Sequence, residues 1–362
     1  MRNTAEQKAP IPNRQWFFGR RLVLDRIFSR IGASRPQSVA ITGLPGMGKS
    51  SLLWFIAQKE TQSKYLEDPE KFYLINMPLR YTSLTSVEDF YRDMCQRLGN
   101  QLTLAEALGN RESPQFQLGR LLEIITSDRG KVIVLFDDFH LLAEDDHIPP
   151  HFYDFLRSLA NRYNIAYITT SRSSLQRICC DGQDRQSAFF NIFSNIILKP
   201  MEREEAELWL NTVFRSERPA LLPEIPWLLK QTGLFPGLIQ TACQIAVQPP
   251  LPGQIPPVFE RDLFLADFLR ATLPFMSELW TFLPPGTQDI LEDIALAKRI
   301  TPDQAYLVQD LIRHHFVVRE GKELSVFSES FASYLASEHS ISRAVPLHPL
   351  MGRMRGWLKS SG

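Results

Sequence analysis

The sequence predicts an α/β fold in which a parallel β-sheet is sandwiched by helices and is followed by a helical domain and then a winged-helix domain. Three observations predict it. Apolar, β-rich runs alternate with segments of helical period from Leu22 to Leu198, strand signals cease from Met201, and a short hairpin pattern stands between helices at Val317–Phe327.

The 362 residues are 44% hydrophobic and 22% charged, an ordinary globular balance that supplies two or three packed cores. Lys plus Arg and Asp plus Glu both number 40, so no global field draws the molecule towards nucleic acid or an anionic membrane surface. Cys95, Cys179, Cys180 and Cys243 have neither the density of a disulfide framework nor the paired spacing of a zinc site, and read as reduced thiols. The leader MRNTAEQKAPIPNRQ has no apolar core, and no later stretch approaches the ~18 uncharged apolar residues of a spanning helix. A cytoplasmic protein without a membrane anchor is therefore expected.

Apolar residues at helical spacing in Leu22–Ile31 predict a first helix, and SVAITG at Ser38–Gly43 predicts a buried strand that delivers the chain into a glycine-rich loop. SLLWFIAQKE from Ser51 is the helix that this loop opens into. FYLINMPL from Phe72, KVIVLFDD from Lys131, IAYITTS from Ile165 and NIIL at Asn195–Leu198 read as further strands. Helical patterns from Ser86, Phe116 and His151 lie between them, and this alternation argues for a parallel sheet with helices on both faces.

From Met201 the segments EREEAELWLNTVF, PEIPWLLKQTG and PGLIQTACQIAVQ read as helices with no strand between them. The stretch QPPLPGQIPP, Gln248–Pro257, is a stiff connector that cannot continue a helix. After one more helix, FERDLFLADFLRATL, the order from Phe275 to Ser337 is three helices, a hairpin around a Glu-Gly turn in VVREGKELSVF, and a last helix, which is a winged-helix pattern. The expected domains are residues 1–200 for the sheet, 201–272 for the helical domain, 273–340 for the winged helix and 341–362 for a basic tail with Arg353, Arg355 and Lys359.

The glycine-rich loop GLPGMGKS, Gly43–Ser50, is a complete match to GxxxxGK[ST], with a strand before it and a helix after it. A triphosphate carries several negative charges, and only a loop without Cβ obstruction lets consecutive backbone N–H groups converge on it. Gly43, Gly46 and Gly48 supply that freedom, and Leu44, Pro45, Met47 and Ser51 complete the cradle. Lys49 is expected to neutralise the β and γ phosphates and Ser50 to ligate Mg²⁺, while the following helix presents its positive end to the same anion. At the carboxyl end of VIVLFDD, Asp137 is expected to hold Mg²⁺ through water and Asp138 to accept a proton from the attacking water. A Glu is more usual at the second position, so the shorter Asp predicts slow hydrolysis. The strand ending YITTSR places Ser171 and Arg172 at the same edge, with Arg172 the expected γ-phosphate sensor; a solvated arginine at a loop start is the competing reading.

Together, FFGR at Phe17–Arg20, GLPGMGKS, LFDD, TTSR and TGLFPG at Thr232–Gly237 resemble the STAND branch of the AAA+ ATPases, signal-transducing relatives of origin-recognition initiators and of immune-receptor ATPases. The likeness spans most of the chain. It implies that ATP or ADP sits between the sheet domain and a helical lid entered at LKPMEREEAELWL, with Phe18, Gly19, Arg20 and the turn containing Gly233 and Pro236 on the adenine side. The resemblance also makes the winged helix a regulatory domain, with Ser328 where immune receptors carry a histidine against the ADP phosphate. Ser328 equally suits the N-cap of the last helix. His314 and His315 read as ordinary surface or packing residues, and neither tandem C-terminal repeats nor an N-terminal effector domain is recognisable.

The expectation is a nucleotide-dependent switch in prokaryotic signalling or defence, a homo-oligomer in its ATP state, acting on a protein partner or effector. A DNA-binding initiator or transposition-type ATPase is the alternative. Nucleic acid is not the favoured partner, because TPDQAYLVQDLIRHHF offers only Arg313 and two histidines beside Asp303 and Asp310. A third reading is a scaffold that binds nucleotide without turning it over.

Overall fold

The computed structural model describes residues 17–79, 86–102, 113–144, 148–149, 151–180, 188–248 and 259–344. The leader, the proline-rich connector beyond Gln248 and the basic tail with Arg353, Arg355 and Lys359 lie outside the described residues. The chain divides into two compact units, Met1–Lys199 and Pro200–Gly362.

In the first unit the elements run α1 (Arg21–Gly32), β1 (Ser38–Thr42), α2 (Lys49–Ala57), α3 (Lys59–Tyr65), β2 (Phe72–Pro78), α4 (Val87–Leu102), α5 (Pro114–Ser127), β3 (Lys131–Asp137), α6 (His140–Glu144), α7 (His151–Arg162), β4 (Ile165–Ser171), α8 (Leu175–Cys180) and β5 (Phe193–Ile197). The five strands pair in parallel in the order β2-β3-β4-β1-β5, with helices flanking the sheet. Strands buried on both faces read as continuous apolar runs rather than alternating ones. Val132 to Phe136 of β3 and all of β4 are buried accordingly.

Strand β4 lies between β1 and β3, so Asp137 and the glycine loop do not end neighbouring strands. The crossovers that set this order are long-range choices that no local pattern encodes. The registers Thr42 with Ser171 and Asp137 with Pro78 bring the carboxyl ends of these strands to one edge. Strand β3 stops at Asp137 because Asp138 turns to a φ of 56°. Just past β5, the Leu198 N–H still reaches the Thr42 carbonyl at 2.7 Å.

The core on one face is aromatic, with Phe90, Phe136, Phe139, Phe152, Tyr167 and Phe189 all fully buried. Tyr167 enters it without an unpaired hydroxyl because its O–H donates to the Leu156 carbonyl at 2.7 Å. Burial pushes the thiols of Cys95 and Cys243 up to about 12, which makes them inert packing groups.

The second unit runs α9 (Arg203–Glu217), α10 (Ile225–Thr232), α11 (Pro236–Ala246), α12 (Arg261–Phe282), α13 (Pro285–Ala295), α14 (Ala305–Arg313), β6 (Val317–Glu320), β7 (Glu323–Val326) and α15 (Glu329–Ala344). Strands β6 and β7 form an antiparallel hairpin closed at Gly321, whose φ is 63°. Where the sequence predicts separate helices on either side of Pro274, the structure runs α12 unbroken for 22 residues. An interior proline costs about 3 kcal/mol. Phe264, Phe268, Thr272, Met276 and Leu279 are buried as one continuous stripe along α12, and burying several such side chains at ~1.5–3 kcal/mol each outweighs that cost. The expected boundary between residues 272 and 273 falls inside this helix. No helix among the described residues is long and apolar enough to cross a membrane.

Gly233 ends α10 in the left-handed region, at a φ of 57°, and a Cβ there would overlap the backbone of Phe327. The turn it opens is fastened to the start of α15. The rings of Phe235 and Phe327 stack at 4.1 Å, the Ser328 hydroxyl donates to the Gln231 carbonyl at 2.7 Å, and Ser330 donates to Gln231 Oε1 at 2.8 Å. The Gln231 side-chain amide donates in turn to Glu329. Ser328 also accepts the Phe331 N–H at 3.0 Å, which makes it the N-cap of α15.

Replacing Gly233 by Ala adds left-handed strain of about 1–2 kcal/mol and overpacking of about 1–3 kcal/mol. Calorimetry is expected to show the melting transition of the second unit lowered by several degrees. Gly286→Ala, where nothing lies within 4 Å of the added methyl, leaves it unchanged.

Candidate nucleotide-binding site

Strand β1 hands the chain at Thr42 to the loop Gly43–Gly48, which turns into α2 at Lys49. Its glycines are needed for two different reasons. Gly46 and Gly48 have φ of 74° and 81°, a region that costs an L side chain about 1–2 kcal/mol. Gly43 has no such twist, but a Cβ on it would stand 3.1 Å from the Leu198 carbonyl oxygen and 3.2 Å from Leu198 Cβ. The loop is anchored from below: Leu44 and Met47 are buried, Pro45 is buried between them, and the Met47 N–H turns back to the Leu44 carbonyl at 3.3 Å.

No side chain caps the N-terminus of α2. The first amides of a helix, at its positive end, are a ready anion site. Lys49 is only 8% exposed, and its Nζ donates to the carbonyls of Gly43 at 2.8 Å and Leu44 at 2.9 Å, so the ammonium is held against the loop by the loop itself. Ser50 and Ser51 follow in the first turn of α2, both half-buried.

At the same edge of the sheet, beyond β4, Asp137 closes β3. The Thr170 hydroxyl, fully buried near the end of β4, donates to Asp137 Oδ1 at 2.6 Å and accepts the Asp138 N–H at 3.0 Å. The Phe139 N–H reaches the Thr170 carbonyl at 2.7 Å, so the chain leaves β3 tethered to β4 while Asp138 holds its left-handed φ. Ser171 is buried and spends its hydroxyl on the Ser173 carbonyl at 2.5 Å, which shapes the turn after β4. Arg172, the next residue, starts that turn half-buried.

The upstream element lies against the loop as well. Gly19 and Arg20 take successive left-handed φ values of 68° and 63°, and Arg20 Nη2 donates to the Met47 carbonyl at 3.2 Å. Phe17 stacks on Phe55 of α2 at 4.1 Å, and Phe18, next in the chain, is half-buried. Pro236 stands at the first turn of α11 in the second unit, after Gly233.

Gly43 to Ser51, Phe18 to Arg20, Asp137, Asp138 and Arg172 all belong to the first unit, where Arg20 touches the loop at Met47 and the carboxyl ends of β1, β4 and β3 share one edge, while Pro236 belongs to the second. Sequence reasoning missed Thr170. Its signal was present in TTSR, where a threonine precedes the arginine by two, but threonine is common in any strand. One hydroxyl and one carboxylate beside a phosphate cradle are the donor set with which proteins hold Mg²⁺ through water and phosphate oxygens. Two hollows of about 720 and 380 Å³ open elsewhere, at the amino ends of the strands near Lys131 and Ser38, and contain none of these residues.

A glycine loop of this geometry between β1 and α2, in a five-stranded parallel sheet, defines a P-loop NTPase. The chain belongs to the family described as Novel STAND NTPase 2, whose model matches residues 33–248. Among solved structures it is similar to a Walker-type ATPase of Pyrococcus abyssi, at 17% identity and a TM-score of 0.58, with 91% of this chain and 99% of that one covered. It is also similar to the ORC2 protein of Aeropyrum pernix in its ADP form, at 13% identity and a TM-score of 0.56, covering 91% and 97%. These likenesses are of fold. No match is found among curated proteins.

Gly48→Ala adds a methyl at a φ of 81°, in the loop that leads into α2. Mg-ATP is expected to raise the melting temperature of the wild type but not of this variant, which loses only about 1–2 kcal/mol of nucleotide-free stability. Scanning calorimetry with and without Mg-ATP checks both.

Proposed function

We propose that this protein is an ATP-binding, slowly hydrolysing molecular switch whose nucleotide state controls its domain arrangement and assembly. The observation that carries the proposal is the glycine loop at the start of α2 with the Lys49 ammonium held on the Gly43 and Leu44 carbonyls. Lys49 meets the β and γ phosphates, Ser50 and Asp137 hold Mg²⁺, and Arg172 binds the γ-phosphate as a charge-assisted donor. Mg²⁺, when bound, supplies charge neutralisation to the transferring phosphoryl group. Asp138 serves as the base that orients and deprotonates water, and its short side chain keeps turnover slow. Adenine-side roles for Phe18, Gly19, Arg20 and Pro236 belong to the same proposal.

A switch from 1:99 to 99:1 takes about 5.5 kcal/mol of differential affinity. Hydrogen bonds to charged groups contribute about 1.5–3 kcal/mol each, so two or three bonds made only with ATP, from Lys49, Arg172 and the metal's ligands, are sufficient. Cytoplasmic signalling or defence, with a homo-oligomer in the ATP state and a protein effector, is the setting the STAND family supports. The hairpin-bearing segment α13–α15 is proposed as a winged helix with a regulatory role. A DNA-reading role is disfavoured by charge: on α14, Arg313 already pairs with Asp310 at 3.2 Å, and Asp310 also faces His314 at 3.6 Å.

Phosphate release measured for wild type, Lys49→Ala and Asp138→Asn tests the proposal. The expected result is a slow wild-type rate that falls about 100-fold or more in both variants. Equal background rates in all three would instead favour a nucleotide-binding scaffold. Mass photometry is expected to show larger assemblies with a non-hydrolysable ATP analogue than with ADP.

A further inference from the structure

We infer that Thr170 is a positioning residue, through which β4 sets the magnesium face of the site. This rests on the nucleotide-site reading above. A hydroxyl has one proton to give and two lone pairs to receive with. Thr170 gives its proton to Asp137 Oδ1 at 2.6 Å and receives the Asp138 N–H at 3.0 Å, so one buried atom ties the last residue of β3 to the first residue beyond it.

Two consequences follow for the chemistry. Asp137 cannot rotate freely about its Cβ–Cγ bond, because Oδ1 is committed to Thr170. Its other oxygen, Oδ2, accepts no hydrogen bond within the described residues, and it would be the oxygen that takes part in holding Mg²⁺ through water. Asp138, meanwhile, keeps a φ of 56° that is uncommon for a residue with a side chain. Its amide bond to Thr170, with the Phe139 N–H on the Thr170 carbonyl at 2.7 Å, maintains that conformation. Thr170 is fully buried, so no solvent replaces the hydroxyl if it is removed. A β-branched side chain is also stiff at χ1, which serine is not, so threonine sets the direction of both bonds more tightly.

The test compares ATP affinity with and without Mg²⁺, using a fluorescent ATP analogue, for wild type, Thr170→Val and Thr170→Ser. Outer partners of metal ligands typically change metal affinity by about 10–100-fold. Thr170→Val is expected to keep its Mg²⁺-free nucleotide affinity, to lose at least about 10-fold of the Mg²⁺-dependent gain, and to need about 10-fold more Mg²⁺ for half-saturation. Thr170→Ser recovers most of that gain. A folded Thr170→Val protein with the Mg²⁺ dependence of the wild type, or one destabilised with that dependence intact, overturns the inference. If the valine variant does not fold, Thr170→Cys, a weak donor and acceptor of similar size, is read by the same criterion. A wild type that takes up no nucleotide sinks the proposed function itself, whereas a wild type that binds beside an indifferent Thr170→Val sinks only this inference.

Discussion

A polyphosphate can be held by backbone amides only where the chain turns without Cβ atoms in the way, and this steric condition at residues 43–48 is the constraint that organises the first unit. Gly46 and Gly48 satisfy it with left-handed φ values, and Gly43 satisfies it by packing against Leu198. The loop is held by the protein's own packing. Leu44 and Met47 sink into the core, Arg20 clips the Met47 carbonyl from outside, and Lys49 lies along the loop on two of its carbonyls. The uncapped positive end of α2 and a nearly buried ammonium therefore concentrate positive potential at one point of a molecule whose formal charge is zero.

This loop was legible in the sequence because its composition is its chemistry: a glycine at each crowded or left-handed position, then a lysine and a serine where the helix begins. The buried strands were legible for a similar reason, since parallel strands covered on both faces carry continuous apolar runs such as Val132–Phe136. Asp137 was legible as the polar residue ending such a run. The placement of β4 between β1 and β3 was not, because strand order is decided by how crossovers pack. Thr170 was hidden for that same reason: only the topology brings it against Asp137. A threonine in a strand otherwise looks like any β-branched filler.

In the second unit the sequence underestimated how far burial overrides local rules. Pro274 breaks the hydrogen-bond ladder in principle, but it sits in a helix whose apolar stripe runs past it on both sides. Ser328 was seen as either a departure from a phosphate-contacting histidine or an N-cap, and the structure assigns it the cap and a second bond to the Gln231 carbonyl. Gln231, Ser328, Glu329 and Ser330 thus share one buried network under the Gly233 turn. Separating the turn from α15 would strand buried polar groups at about 1–3 kcal/mol each. The turn after α10 and the start of α15 consequently behave as one piece, which constrains any rearrangement to occur elsewhere than at this contact.

The account stands or falls with the occupancy of the glycine loop. Isothermal titration of Mg-ATP into the folded 362-residue chain tests this most directly. One site per chain is predicted, with the heat of binding lost when Lys49 is replaced by Ala and the melting profile otherwise retained. Absence of any heat or nucleotide uptake by wild-type protein that melts cooperatively would contradict it.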